Sequence, residues 1–578
     1  MSTVWTPVFS ADRVPAGKSR LFKKDGLQVA VFRVENGTLY AVDNRCPHEG
    51  YPLMQGTVDD CTLTCNWHNY KFDLRDGACV MGEEAVRSFP VRESDGQIEV
   101  DLSPPDPAEE QARLWESMDE GMHLHRMGQV ARDVVRLIQS GVNPLDIAVY
   151  SAKWDALRAE YGTGHGSAVA SDICRYLPRY QGAQAALPLV QSLDISSFPT
   201  RRMPVRERPA AINPGPDPVA AGVRFQALVE AEDSAGAEGL IRGAIAAGWD
   251  SAVITPWLFR VVGDHFLSFG HRLIYLIKLL ELLDLAGWEH ADPILPALTF
   301  SIVNGTREDR LPGWSSMNQS LGALENELSE LYSGCTVQAD PDWNGAAELA
   351  EVLLDGRRAD VFTVLTRAIR DRASLTAIVD VLSHAAALRM LRFNVAHDQD
   401  IGVQNSWLSV THIQTFASAI RQAIQRVDDP CLIRMVFHSA RFINNAKALD
   451  VEEQYRLDLG PTVHRGLEPL MAAISEGEPQ AAVGMAAAWI QSGDDLSTLQ
   501  EALEDLVIHD PLTRPIVVAH AIKGTVVAFE EYAATGDPMP VLALVRLLSS
   551  PIRERNTERV TREAIAFVTE GKVPRSLT

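Results

Sequence analysis

A small all-β domain followed by a large all-α region of stacked helical units is the fold class that this sequence predicts. Two observations carry it. In the first hundred residues short β-prone runs are separated by Asn-Gly and Asp-Gly dipeptides, and beyond them apolar residues recur at spacings of three and four. The runs are Val29 to Val34, Leu39 to Val42, Lys71 to Leu74 and Ile98 to Leu102. The dipeptides Asn36-Gly37, Asp76-Gly77 and Asp95-Gly96 supply the positive φ that tight hairpins need. SPPDP at Ser103 to Pro107 ends the β part, because proline stops a ladder but suits a first helical turn. Val134, Val135 and Ile138, or Leu273, Ile274, Ile277 and Leu280, show the helical period that follows. Six prolines between Phe198 and Pro218 predict an extended linker. The expected divisions are 1–104 (β domain), 105–196 (a helical unit), 197–220 (the Pro-rich linker) and 221–578 (a helical domain).

Three segments of the last division resemble one another: GLIRGAIAAGWDSAVI from Gly239, TVLTRAIRDRASLTAI from Thr363 and GMAAAWIQSGDDLSTL from Gly484. Each reads as a helix, a turn and a new helix start, and each is followed by a helix opening near a histidine. They divide the domain into repeats at about 221–340, 341–460 and 461–578. The alternative is chance likeness between amphipathic helices.

Charge and composition narrow the function. Fifty-three Lys and Arg against 76 Asp and Glu give a net charge of -23 with no long basic run, which argues against nucleic acid and anionic membranes as partners. The uncharged stretch Ile401 to Ile420 is long enough to span a bilayer but carries Gln404, Asn405, His412 and Gln414. The N-terminal MSTVWTPVFSADRVPAGK has no basic start followed by an apolar run, so a cytoplasmic location is expected.

Seven cysteines are few, odd in number and uneven: Cys46, Cys61, Cys65 and Cys79 crowd the β region. Cys46-Pro47-His48 and Cys65-Asn66-Trp67-His68 form two Cys/His hooks, each offering one sulfur and one imidazole to a metal. A zinc ribbon or a set of buried thiols is the alternative, although zinc hooks are usually C-x-x-C pairs. With Trp67, YKFDL at Tyr70 to Leu74 and Asp76-Gly77, the hooks resemble a Rieske [2Fe-2S] domain. The resemblance implies that Cys46 and Cys65 hold one iron and His48 and His68 the other. It further implies a buried thiolate side and an exposed imidazole edge through which electrons pass. Glu49, Gly50, Asn66 and Trp67 provide no cysteine for the extra disulfide of the high-potential members, and Tyr70 and Phe72 stand where those members place hydroxyl donors to sulfur. A potential toward the low end of the Rieske range is expected. Cys61 and Cys79 read as core thiols.

A second metal site is the further expectation. Helix-borne histidines at equivalent positions of stacked units could share an interior, and imidazole is the commonest ligand of iron, zinc or copper. The candidates are His265, His271, His384, His412, His438 and His520, with Asp264 and Asp380 as candidate carboxylates and iron as the expected metal. The alternative is that they are core or capping residues. Glu120 and His123 form one E-x-x-H, whereas a di-iron bundle needs two. The runs Gly270 to Leu283, Thr411 to Ile424 and Val436 to Leu449 are similar to the questin-oxidase-like helical family, which implies oxygen-dependent oxidation of an aromatic or polyketide-like substrate. Trp257, Phe259, Tyr275, Trp407 and Phe437 are candidate pocket walls.

The expected function is a Rieske-type oxygenase whose cluster passes electrons to an oxygen-activating site among the helices. Small organic substrate and O2 are the reactants. No dinucleotide fingerprint or phosphate loop occurs, so a separate NAD(P)H-dependent flavin reductase or ferredoxin is the expected donor. The other reading is a Rieske ferredoxin-type carrier fused to a helical partner-docking scaffold.

Overall fold

The computed structural model describes residues 5–398, 406–463, 466–509, 514–550, 552 and 561–562. Residues 401–405 of the uncharged stretch and the end of the third expected repeat lie outside them.

Eleven short strands build the β part: β1 (Trp5–Ser10), β2 (Lys18–Lys24), β3 (Leu27–Arg33), β4 (Leu39–Asp43), β5 (Thr57–Asp59), β6 (Thr62–Thr64), β7 (Lys71–Asp73), β8 (Cys79–Met81), β9 (Ser88–Phe89), β10 (Val91–Ser94) and β11 (Gln97–Asp101). They form three antiparallel sheets, ordered β1-β11-β10, β2-β3-β4-β9 and β5-β6-β7-β8. β3 explains why two cores exist. Alternate side chains of a strand leave opposite faces, so Ala30 and Phe32 enter one core and Val29 and Val31 another. Cys46 and Cys65 belong to the first core, beside Leu53, Leu63 and Phe72. Burial of the two ligand sulfurs is thus part of domain packing.

Expectation and structure agree on the small β fold followed by helices. They differ on where the first unit ends. The compact unit that contains the sheets runs through Asn143 and includes Gly182–Ala186, so the first part of the expected 105–196 helical unit belongs with the sheets. Helix α1 (Pro107–Leu124) starts on proline with Asp106 accepting from the amides of Ala108 and Glu109, and α2 (Met127–Gln139) folds back on it. The join is ionic. Buried Glu84 takes Arg132 at 2.7 Å and Arg136 at 2.5 Å from α2, and Arg132 Nη1 reaches the carbonyl of His48 at 3.4 Å. No sequence period reveals such a pairing.

The second unit comprises Pro144–Gln181 and Leu187 onward and is helical. The expected linker begins later than predicted: a helix continues to Thr200 through Pro199, and Pro218 opens the next. Only the prolines between these helices lie in extended chain. At the centre of this unit, helix His271–Ala286 buries every residue from Arg272 to Leu283, as expected of a helix apolar nearly all round. No helix among the described residues is long and apolar enough to cross a membrane.

Gly77 tests the β architecture. Its φ is +81°, and a Cβ there would collide with the carbonyl of Val86. Gly77→Ala is expected to destabilise the first unit by about 2 kcal/mol or more, read from urea unfolding followed by the β signal.

Candidate metal centres

The two hooks are built alike. Cys46 N donates to Tyr51 O at 2.9 Å and Cys65 N to Tyr70 O at 2.7 Å, while Gly50 N returns to Cys46 O and Asn69 N to Cys65 O. Each loop closes on a residue with positive φ, Gly50 at 77° and Asn69 at 61°. This matched folding aims the ligands at one another: His48 Nδ1 lies 3.0 Å from His68 Nδ1, and the Cys46 and Cys65 thiols face each other inside the first core. Burial pushes the Cys46 thiol up to about 11, opposed by the amides of His48 and Glu49 that point at its sulfur. Two buried sulfurs and two inward imidazole nitrogens match the mixed donor set of a [2Fe-2S] group with unlike ends. Tyr70 stacks on His48 at 4.7 Å and Trp67 on His68 at 5.2 Å, so aromatic faces cover the rings. Trp67 remains 58% exposed. All seven cysteines are free; Cys61 and Cys79 are half-buried, Cys79 packed against the first core as expected and Cys61 outside it with Sγ against Asp60.

A second convergence lies in the helical unit. His165, His271, His412 and His520 each bring a ring nitrogen within 4.8 Å of the others. The helices that carry them, His165–Tyr176, His271–Ala286, Ser406–Arg426 and Pro515–Thr535, pack as a closed ring in that order. The sequence named three of the four. His165 lies ahead of the Pro-rich segment, outside the three resembling segments, although Gly164-His165 shows the small-residue-His pair of Gly270-His271, Thr411-His412 and Ala519-His520, of which the last two lie within rather than at the start of their helices.

The remaining candidates stand elsewhere, each engaged. His265 lies between Asp309 at 2.8 Å and Glu230 at 3.0 Å, and Asp264 takes Gln226 and Arg434. His384 pairs with Asp537 at 2.8 Å, and Asp380 with Arg421 at 2.7 Å. These contacts spend the groups on neighbouring helices, so none joins the four imidazoles. His438 is buried against Phe266. Of the proposed wall residues only Tyr275 reaches the site, its hydroxyl 3.2 Å from His165 Nδ1.

Backbone carbonyls orient the rings. His271 Nδ1 is bonded to Ser268 O, His520 Nδ1 to Ile516 O at 2.6 Å, and Leu408 serves His412 likewise. A carbonyl can only accept, so the Nδ1 atoms carry the protons and the Nε2 lone pairs point inward. His520 Nε2 then lies 2.8 Å from His412 Nε2, and His271 Nε2 lies 3.3 Å from His165 Nε2. Facing lone pairs repel unless a cation sits between them. A proton is disfavoured: burial and then Lys523 hold His165 and His520 well below the usual histidine range, and burial takes His271 down to about 3. A tetrahedral ion with bonds of about 2.05 Å would set its ligands about 3.3 Å apart, between the shortest separation of 2.8 Å and the 4.8 Å within which all four lie. Lys523, one turn after His520, is 0% exposed, and its Nζ has no hydrogen-bond partner among the described residues. Burial pushes it down to about 7. It lines a cavity of about 10 Å3, room for one water, which shares Ser418 and Gln422 with a groove of about 590 Å3.

Comparison with known proteins fits the first centre. Residues 4–91 match the model of the Rieske [2Fe-2S] domain. The ferredoxin subunit of anthranilate 1,2-dioxygenase from Burkholderia cepacia is 32% identical over 100 residues, which are 17% of this chain and 92% of that protein. The 4β-methylsterol monooxygenase of Methylococcus capsulatus is 37% identical over 94 residues, 14% of this chain and 25% of that one. The ferredoxin of carbazole 1,9a-dioxygenase from Nocardioides aromaticivorans is 27% identical, with a TM-score of 0.17, over 18% of this chain and all of its own. Through its N-terminal domain the chain belongs to the Rieske [2Fe-2S] family. It spans a quarter or less of the monooxygenase, dioxygenase and desaturase relatives it matches.

The neutral imidazoles make a pH prediction. Unfolding returns them to about 6.5, so below that pH the unfolded chain binds more protons and stability falls with acidity. In chelator-treated protein, His520→Asn is expected to flatten this fall between about pH 6 and 5 by about 1.4 kcal/mol per pH unit, measured by urea titration. An unchanged slope would mean that His520 is already charged when folded.

Proposed function

We propose that the chain is a Rieske-type oxygenase: the N-terminal domain passes single electrons to an oxygen-activating metal, iron, held by His165, His271, His412 and His520, which oxidises an aromatic or polyketide-like substrate. The observation that carries this reading is the set of inward lone pairs, fixed by carbonyls and closed to protons. When bound, the cluster supplies one-electron transfer and the four-imidazole metal supplies oxygen activation.

The protein's own groups do the rest. Cys46 and Cys65 would keep the sulfur end inside the first core, and His48 and His68 would offer the outer end through which a separate NAD(P)H-dependent flavin reductase or ferredoxin delivers electrons. In the helical unit, Ser268, Leu408 and Ile516 hold three rings in one tautomer, so their Nε2 lone pairs already face the interior. Tyr275 hydrogen-bonds His165 and places a hydroxyl beside the site. Lys523, one turn after His520, disfavours protonation of His165 and His520. A cytoplasmic setting, with reductase and substrate both soluble, completes the proposal.

Metal content decides it. Reconstituted full-length protein is expected to hold more iron per chain than the two of its cluster. His412→Ala and His520→Ala should lower iron to the cluster's share with the reduced-cluster paramagnetic resonance signal intact, whereas Cys65→Ser should abolish that signal and leave the second metal. Cluster iron alone, no other transition metal and no oxygen consumption on reduction would overturn the oxygenase reading in favour of an electron carrier on a helical scaffold.

A further inference from the structure

Two guanidinium groups in the helical unit converge on one neutral oxygen. Arg441 Nη2 lies 2.8 Å and Arg358 Nη1 3.0 Å from the carbonyl of Gly313. Neither arginine forms an ion pair among the described residues. Arg441 is 2% exposed, and its Nε and Nη1 have no hydrogen-bond partner among the described residues. Arg358, by contrast, is exposed at the start of its helix. Two cations sharing a carbonyl repel each other, and a buried guanidinium with idle donors is expensive unless an anion completes it. Burial and then Arg358 lower the pKa of Arg441 to about 10, so it stays charged at neutral pH.

The pair also has an address. The Arg441 guanidinium lies 5.1 Å from the Trp314 ring, Trp314 stacks on Phe266 at 4.6 Å, and Phe266 meets Phe416 edge-on at 5.3 Å. Phe416 sits one turn after His412 and packs so tightly on Gly270, the residue before His271, that a Cβ there would come within 2.5 Å of its ring. A chain of touching aromatic rings therefore connects the four imidazoles to the arginines. His438 flanks Phe266 at 5.9 Å and is fully buried with no partner for Nδ1 among the described residues.

We infer that Arg441 and Arg358 form an oxyanion site that takes the carboxylate or phenolate of a planar aromatic substrate, whose rings lie along Trp314, Phe266 and Phe416 toward the metal. The inference rests on the oxygenase reading for the identity of the ligand. The paired arginines supply bidentate, charge-assisted hydrogen bonds and the rings supply stacking. A neutral His438 is available to a hydroxyl or carbonyl on the same ligand.

The test uses full-length, metal-loaded protein and isothermal titration with 2-naphthoate, its neutral counterpart 2-naphthamide, and inorganic phosphate. Naphthoate is expected to bind at least about tenfold tighter than naphthamide, and Arg441→Gln and Arg358→Gln should each remove most of that advantage while leaving naphthamide unchanged. Arg441→Lys should keep part of it. Arg358 is exposed, so its variant reads the site even if Arg441→Gln fails to fold. Equal binding of the two naphthyl probes, indifference to both substitutions, or binding of phosphate without naphthoate would overturn the inference. Iron is measured on the same samples. Naphthoate selectivity in protein that holds cluster iron alone would sink the oxygenase reading and keep the anion site, and lost selectivity with the second metal in place would do the reverse.

Discussion

Electron pairs that face one another in a dry interior are the constraint on which the helical unit depends. Four helices remote in sequence meet in a ring and bring uncharged imidazole nitrogens to within 2.8 and 3.3 Å of each other. Hydrophobic packing can hold such a ring together, but it cannot make those contacts favourable. The backbone carbonyls that fix the tautomers remove the one local remedy, a shared proton, and Lys523 adds to the bias. The arrangement therefore offers four converging imidazole nitrogens to a cation.

The N-terminal domain solves a related problem differently. Its hooks are short hydrogen-bonded loops, each closed by a left-handed residue and each sunk at its cysteine into the core on one face of β3. The clamp of Glu84 on Arg132 and Arg136 ties α1 and α2 to this domain and sets Arg132 against the His48 carbonyl. A helical hairpin is thereby part of the iron-sulfur unit. The match to the Rieske domain model covers residues 4–91, ahead of the hairpin.

How much of this was legible beforehand follows from which signals are local. The hooks were readable because a Cys-x-His pair and its Trp and Gly neighbours are contiguous, and the β-to-α change was readable because its periods are. His271, His412 and His520 were nameable for the same reason: each opens or occupies a helix beside a small residue. His165 shares the feature, but it lies ahead of a proline-rich stretch taken as a boundary that the fold ignores. His265, His384 and Asp380 looked equally good in sequence. Only long-range partners, Asp309, Asp537 and Arg421, disqualify them. The arginine pair left no local trace, since what defines it is the lack of a carboxylate partner in space among the described residues.

The ring of four helices takes its first member at residue 165 and its last at 535. A chain emerging from the ribosome completes both cysteine hooks several hundred residues before the fourth imidazole exists. The hooks can therefore fold while most of the helical ring is still unmade.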